Sequence, residues 1–375
     1  MVAHKGLSWV KENMAIERSK QLKGPINSIL LVQLGDIGDV VLSFPCIRSL
    51  RETYPETKIL VVVRDKAAEL IRLCPWASGV IPIKKEKSLF SKIVSSIKLV
   101  FFLIKQHTDL SIDLRTGTRG AILVWFSRAK NRVGFYSSDG KFWRNRVFTD
   151  LVHAEYCPDQ HVVDYLLDFL RLFNICVSDR EPQMVIPKDL FIQAKQIISK
   201  KVHSDRYMVV QPFSLWRYKE WGEDNFVKLI EWIIRKFDLS VLVTGSLNER
   251  DRAENITRQC GLRCHNLAGK TSLDVYSALL EKAEMFIGGD SAGLHLAAAT
   301  GTSTIAIFGP SSPKSWAPRG ARHLVIQKKM PCVPCRNKGC DGTERSKCIE
   351  NLSVDEVCAC VQKHLISLGK KADET

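Results

Sequence analysis

The sequence predicts an α/β protein built from two successive open parallel sheets. Short apolar runs alternate with helical stretches of ten or more residues, the pattern of βαβ units. The alternation halts at Asp179–Pro187, a segment with two prolines that reads as an interdomain linker, and then restarts. A chain of 375 residues with 45% hydrophobic content can fill two ordinary cores.

In the first half, Ser28–Leu34 (SILLVQL) is a buried-strand run closed by Gly35, Asp39–Tyr54 is helical, and Lys58–Val63 (KILVVV) is a second strand. Ala67–Cys74 reads as helix, Val80–Ile83 as a short strand, Ser88–Lys105 as a long helix and Asp109–Leu114 as a strand. His161–Phe173 is a strongly periodic helix before the linker. In the second half the strands are Tyr207–Gln211, Ser240–Thr244, Met285–Ile287 and Ser303–Phe308. The helices between them are Glu223–Phe237, Asn248–Cys260, Ser272–Lys282 and Gly293–Thr300. The expected organisation is an extension at 1–24, domains at 25–180 and 181–350, and a last helix with its tail at 351–375.

Composition narrows the function. The net charge of +15 and a pI near 9.3 imply an anionic partner: nucleic acid, an acidic membrane surface or a phosphorylated substrate. A mean hydropathy of -0.07 fits neither a disordered nor a membrane-embedded chain. The densest apolar stretch, Leu99–Ile104, lies between Lys98 and Lys105, far short of the roughly 20 residues of a spanning helix. The first residues lack a signal peptide's apolar run. Twelve cysteines in so long a chain do not indicate a disulfide scaffold, so the expectation is a cytoplasmic protein with mostly reduced thiols.

Ligands of open α/β sheets collect where strands end, so the turns there matter most. Leu34-Gly35-Asp36-Ile37-Gly38-Asp39 lacks the G-x-G-x-x-G spacing, which argues against a nicotinamide-dependent oxidoreductase. Two carboxylates there would repel a pyrophosphate. Asp39 reads either as a base that takes a proton from a hydroxyl or as a plain helix cap. After Gln211 come Ser214, Arg217, Lys219, Glu220 and Trp221, whose cations could neutralise a diphosphate, or which could form a solvated loop. Thr244-Gly245-Ser246 precedes Glu249, an acid that could hold ribose hydroxyls or stabilise a helix start. Gly288-Gly289-Asp290-Ser291-Ala292-Gly293-Leu294-His295 runs from a strand into small residues that open a helix. Its amides could dock an anion, and Asp290 could bind sugar hydroxyls. His295 falls one turn into that helix, as a weak ligand candidate or a core residue.

Taken together, GDIGDVVLSFP, the Lys-Glu-Trp loop, TGSxxER, GGDSAGLHLAAATGT and IAIFGPSSP resemble glycosyltransferase family 9, the ADP-heptose:lipopolysaccharide heptosyltransferases. The resemblance covers about residues 28–357. It implies a GT-B fold: two Rossmann-like domains facing a cleft, acceptor on the first and nucleotide sugar on the second, with a last helix (here Val354–Leu368) that could cross back to the first. By motif, Asp39 corresponds to the catalytic base, Lys219 to the diphosphate-binding lysine and Glu249 to the ribose-binding acid. Asp290 corresponds to the residue on the transferred sugar, and Ser291–Leu294 to the phosphate-binding amides. The implied reaction is an inverting transfer of heptose from ADP-heptose to a lipopolysaccharide-core or related glycan. The alternative is an idle nucleotide-binding scaffold. No D-x-D pair occurs in the sequence, so a metal-independent mechanism is expected, without a catalytic cofactor.

For the acceptor, the basic and apolar helix 88–107 (Lys92, Lys98, Lys105 beside Phe101 and Phe102), Arg115, Arg119 and the positive stretch Arg128–Arg146 suggest an anionic glycolipid. They also suggest peripheral contact with the inner-membrane surface. The competing reading of that helix is a core element with solvated lysines. No nucleic-acid-binding signature is present. Cys332-x-x-Cys335, Cys340 and Cys348 could form a structural zinc or iron–sulfur site or remain free or bridged thiols, since the second pair is not C-x-x-C. Cys358 and Cys360 look like packing residues.

Overall fold

A computed structural model describes residues 20–369 apart from 87, 139–142, 155, 156, 200, 201 and 203–205. Most of the expected extension at 1–24 therefore lies outside the described residues. The chain divides into two compact units, Met1–Pro182 and Gln183–Thr375, and the boundary falls inside the expected linker.

The first unit holds strands β1 (Ser28–Gln33), β2 (Lys58–Arg64), β3 (Gly79–Ile83), β4 (Leu110–Asp113), β5 (Asn131–Phe135) and β6 (Asp150–Val152). Its helices are α1 (Ile37–Leu42), α2 (Phe44–Thr53), α3 (Ala68–Arg72), α4 (Leu89–Lys105), α5 (Thr118–Phe126) and α6 (Val162–Arg171). The parallel sheet runs β3-β2-β1-β4-β5-β6, so strand order reverses between β1 and β4. All six β1 side chains are buried, as a strand covered on both faces requires. The single helix expected at Asp39–Tyr54 is two: Ser43 ends α1 and precedes α2, with Pro45 in the new first turn, where its missing N–H costs nothing.

The second unit holds β7 (Tyr207–Gln211), β8 (Ser240–Val243), β9 (Cys264–Asn266), β10 (Phe286–Gly289), β11 (Thr304–Phe308) and β12 (His323–Gln327). Its helices are α7 (Lys188–Ile198), α8 (Glu223–Phe237), α9 (Arg250–Cys260), α10 (Leu273–Lys282), α11 (Ala292–Ala299), α12 (Pro313–Trp316), α13 (Lys347–Glu350) and α14 (Val354–Ser367). The sheet order β12-β11-β10-β7-β8-β9 repeats the first unit's topology, with its reversal between β7 and β10. α14 belongs to this unit. Val357, Val361 and Leu365, spaced by four, join the core with Ile230 and Ile233 of α8, and Trp221 Nε1 donates to the Leu352 carbonyl at 2.8 Å. Where a return to the first domain was expected, the helix spends its apolar face on the second unit. No helix among the described residues is long and apolar enough to cross a membrane.

Candidate active site

Each unit gathers its candidate residues at its own strand-order reversal, where the two central strands diverge and leave a crevice. In the first unit Val32 of β1 lies opposite Asp113 of β4, so the turns after both strands are neighbours. Asp36 caps α1 and Asp39 is its third residue, and the two form a reciprocal capping box in which Asp39 Oδ2 accepts the Asp36 N–H at 2.9 Å. The same Oδ2 lies 2.9 Å from a guanidinium nitrogen of Arg115, and neither bond uses Oδ1. A Cβ on Gly35 would stand 2.4 Å from that carboxylate, so glycine makes the room. The cap and base readings of Asp39 thus share one geometry, since a side chain fixed in a capping box is also held in place for chemistry.

The peptide of Arg115 is gripped from both sides. Asp113 Oδ1 accepts its N–H at 3.1 Å, and Arg144 donates to its carbonyl at 3.0 Å. Arg144 also donates to the Phe135 carbonyl (2.7 Å) and Asn145 Oδ1 (3.0 Å), and lies 3.7 Å from Asp113. Both side chains are fully buried. Burial pushes the Asp113 carboxyl up to about 7, against the pull of the Arg115 amide and the Arg144 charge. Sequence reasoning counted Arg144 within a stretch of surface positive charge, and the structure corrects this. Only burial against a carboxylate far away in the chain reveals it. Arg119 is exposed in the first turn of α5 and takes no part in these bonds.

In the second unit Gly288 of β10 lies opposite Gln211 of β7. Lys219, at the end of a short turn Arg217–Lys219, brings its Nζ 2.5 Å from Asp290 Oδ2, and Asp290 directly precedes Ser291, the cap of α11. Gln211 donates to Ser291 Oγ at 3.4 Å and accepts the Tyr276 hydroxyl at 3.0 Å. Tyr276 in turn lies 3.1 Å from Thr244 Oγ1. This chain links the ends of β7, β8 and β10, and Tyr276 was not anticipated. Gly293, Leu294 and His295 are buried in α11, so Gly293 and Leu294 can contribute only backbone, while Ser291 and Ala292 are half-exposed.

Ser214 donates its N–H to Glu220 at 3.0 Å, while Arg217 is exposed. Arg252, unremarked in the sequence, holds Glu220 at 2.6 Å and Glu223 at 2.5 Å and covers the Phe213 ring, which ties the Lys219 loop to α9. Glu249 closes a second capping box, accepting the Ser246 N–H at 2.6 Å at the start of α9. The structure therefore brings Lys219, Asp290 and Ser291 together and places Glu249 at the next strand end.

Among the described residues, Cys332, Cys335, Cys340 and Cys348 are not gathered into a set of metal ligands. Cys332 is exposed, Cys335 and Cys340 are half-buried, Cys348 is buried, and all four are free thiols. No group of three or more His, Cys, Asp or Glu side chains that could hold a metal ion occurs among the described residues. Burial, and then the neighbouring Cys335 and Cys340, raise the Cys348 thiol.

The family model described as glycosyltransferase family 9 (heptosyltransferase) matches residues 97–344. Lipopolysaccharide heptosyltransferase 3 of Escherichia coli (strain K12) is 28% identical over 288 residues, covering 75% of this chain and 82% of that protein. A glycosyl transferase family 9 structure from Veillonella parvula aligns with a TM-score of 0.78 at 19% identity, over 91% of this chain and 97% of that one. The E. coli ADP-heptose lps heptosyltransferase II structure aligns with a TM-score of 0.75 at 20% identity, over 91% and 99%. The two parallel units thus have the GT-B fold.

Proposed function

Because this chain belongs to glycosyltransferase family 9, the heptosyltransferase family, we propose that it moves heptose from ADP-heptose onto the core of lipopolysaccharide in one inverting displacement. Asp39 Oδ1 takes the proton of the acceptor hydroxyl. The freed oxygen bonds to the anomeric carbon as the bond from that carbon to the diphosphate breaks, and the electron pair leaves with ADP. Lys219, with Arg217 and the amides at 291–294, neutralises the departing diphosphate. Glu249 holds the ribose and Asp290 the sugar. Arg115 and Arg119 meet the anionic acceptor. The protein works on the cytoplasmic side of the inner membrane as a peripheral protein, facing a lipid-anchored acceptor.

The observation that carries this reading is the Lys219–Asp290 pair at the start of α11, 2.5 Å long and mostly buried. It sets a cation and a sugar-binding carboxylate beside free helix amides. An idle scaffold would have no use for that pair or for an arginine on Asp39. The test combines turnover of ADP-heptose with calorimetry of ADP, UDP, GDP and CDP. Asp39→Asn is expected to lose turnover and keep ADP binding, and Lys219→Ala to weaken ADP binding. An active Asp39→Asn enzyme would refute the base assignment, and preference for another diphosphate would replace the donor.

A further inference from the structure

The first unit carries an apolar face that its core leaves unused. α4 buries only Leu103, while Phe90 (77% exposed), Ile93 (51%), Ile97 (51%) and Phe101 (62%) line one stripe at spacings of three and four. α5 packs against α4 and exposes Ile122 and Trp125. Beside Trp125 lies a hollow of about 290 Å³ lined by Ile122, Trp125, Phe126, Trp143, Arg146 and Val147. Single exposed hydrophobics are ordinary, but a stripe of about three turns on a helix packed against one that opens an apolar hollow marks an interaction surface.

The charge around this face selects what covers it. α4 has three lysines and no acid, and residues 114–149 hold, besides the buried Arg144, seven lysines and arginines against one acid, Asp139. A second copy of the chain would bring the same cations against each other. An anionic bilayer offers what the face requires: phosphates for the lysines, an interfacial level for tryptophan, and acyl chains for a hollow.

We propose that this face seats the protein on an anionic bilayer, with the α4 stripe in the headgroup boundary and the hollow beside Trp125 and Trp143 taking a lipid acyl chain. The inference deepens the peripheral-membrane part of the proposed function, on which it rests, by naming the face that docks and the acyl-chain hollow, and it is independent of the transfer chemistry.

The test uses the full chain with phosphatidylcholine vesicles, with or without phosphatidylglycerol, the latter also brominated along its acyl chains. Co-sedimentation with the anionic vesicles only, and quenching of tryptophan fluorescence by the brominated lipid, are expected. The chain has eight tryptophans, so the hollow is identified by loss of part of that quenching in Trp125→Phe. Phe101→Gln is expected to weaken partition about tenfold. Because these side chains are exposed, folding and ADP binding should stay unchanged in both variants. Absence of vesicle binding overturns the proposal, as does binding without chain quenching or quenching unaltered in Trp125→Phe. A dimer that Phe101→Gln dissociates, with no vesicle binding, would overturn it in favour of a second copy. Because no outcome is read from turnover, failure here is distinguishable from failure of the transferase assignment.

Discussion

Replacing Arg144 with methionine tests the buried network behind Asp39. The guanidinium has no solvent exposure, donates to the carbonyls of Phe135 and Arg115, and is the countercharge 3.7 Å from an equally buried Asp113. Methionine keeps the volume but leaves two carbonyls without a donor and a carboxylate without its countercharge. Removing one partner of a buried ion pair costs about 3–5 kcal/mol when the other stays charged. Asp113 can escape part of this by taking up a proton, because its carboxyl is already raised to about 7 with Arg144 present.

The sign follows from linkage. The folded-state value lies above the unfolded one, so this group's contribution is greatest at low pH and is lost as pH rises through about 7. Arg144→Met should therefore cost about 1–3 kcal/mol, the unmade hydrogen bonds alone, near about pH 5.5, and about 1.4 kcal/mol more near about pH 8, where Asp113 must also take up a proton. Asp113→Asn in the same chain should recover part of the loss at the higher pH only. Hydrogen–deuterium exchange over β4 and β5 is the suitable assay, since a chain of two units need not unfold in one step. A loss under about 1 kcal/mol, or an equal loss at both pH values, would refute the reasoning.

Two further outcomes are expected. A Cβ at position 293 would stand 2.0 Å from Gln211 Oε1, so Gly293→Ala should displace Gln211 from Ser291, weaken ADP binding in calorimetry and cost about 1–3 kcal/mol. Burial, then the charges of His364 and Arg322, push the His323 imidazole down to about 4. Its folded value lies below its unfolded one, so stability is complete above about pH 6.5 and falls as pH drops towards 4, by up to about 3 kcal/mol. His323→Gln should flatten urea midpoints over that window.

The long apolar runs were legible because local pattern and burial agree, and Tyr207–Gln211 and Glu223–Phe237 have their predicted bounds. Unread were β5, β6, β9 and β12, of three to five residues each, whose side chains are too few or too mixed for a period to show. β5, for example, carries Arg132 and a Gly134 that gives way to the Phe148 ring. Helices α5 and α7 were also passed over.

In the site, residues at fixed offsets from a strand end were visible: Asp39 after β1, Asp290 after β10 and Glu249 after β8. Residues that matter through contacts across the fold were not. Arg144, Arg252 and Tyr276 carry no local mark, since an arginine in a basic run reads as surface until its carboxylate partner is known.

The placement of α14 bears on how the protein is made. The first unit, closed by Pro182, has its core in hand while the rest of the chain is still being synthesised. The second cannot complete its core until Val357, Val361 and Leu365 have left the ribosome, because they pack with strands and helices that emerged long before. A stop codon ahead of residue 354 would thus leave a folded first unit joined to an unfinished second unit. Such a truncated chain would be cleared by proteolysis of its second part and leave a stable first-unit fragment.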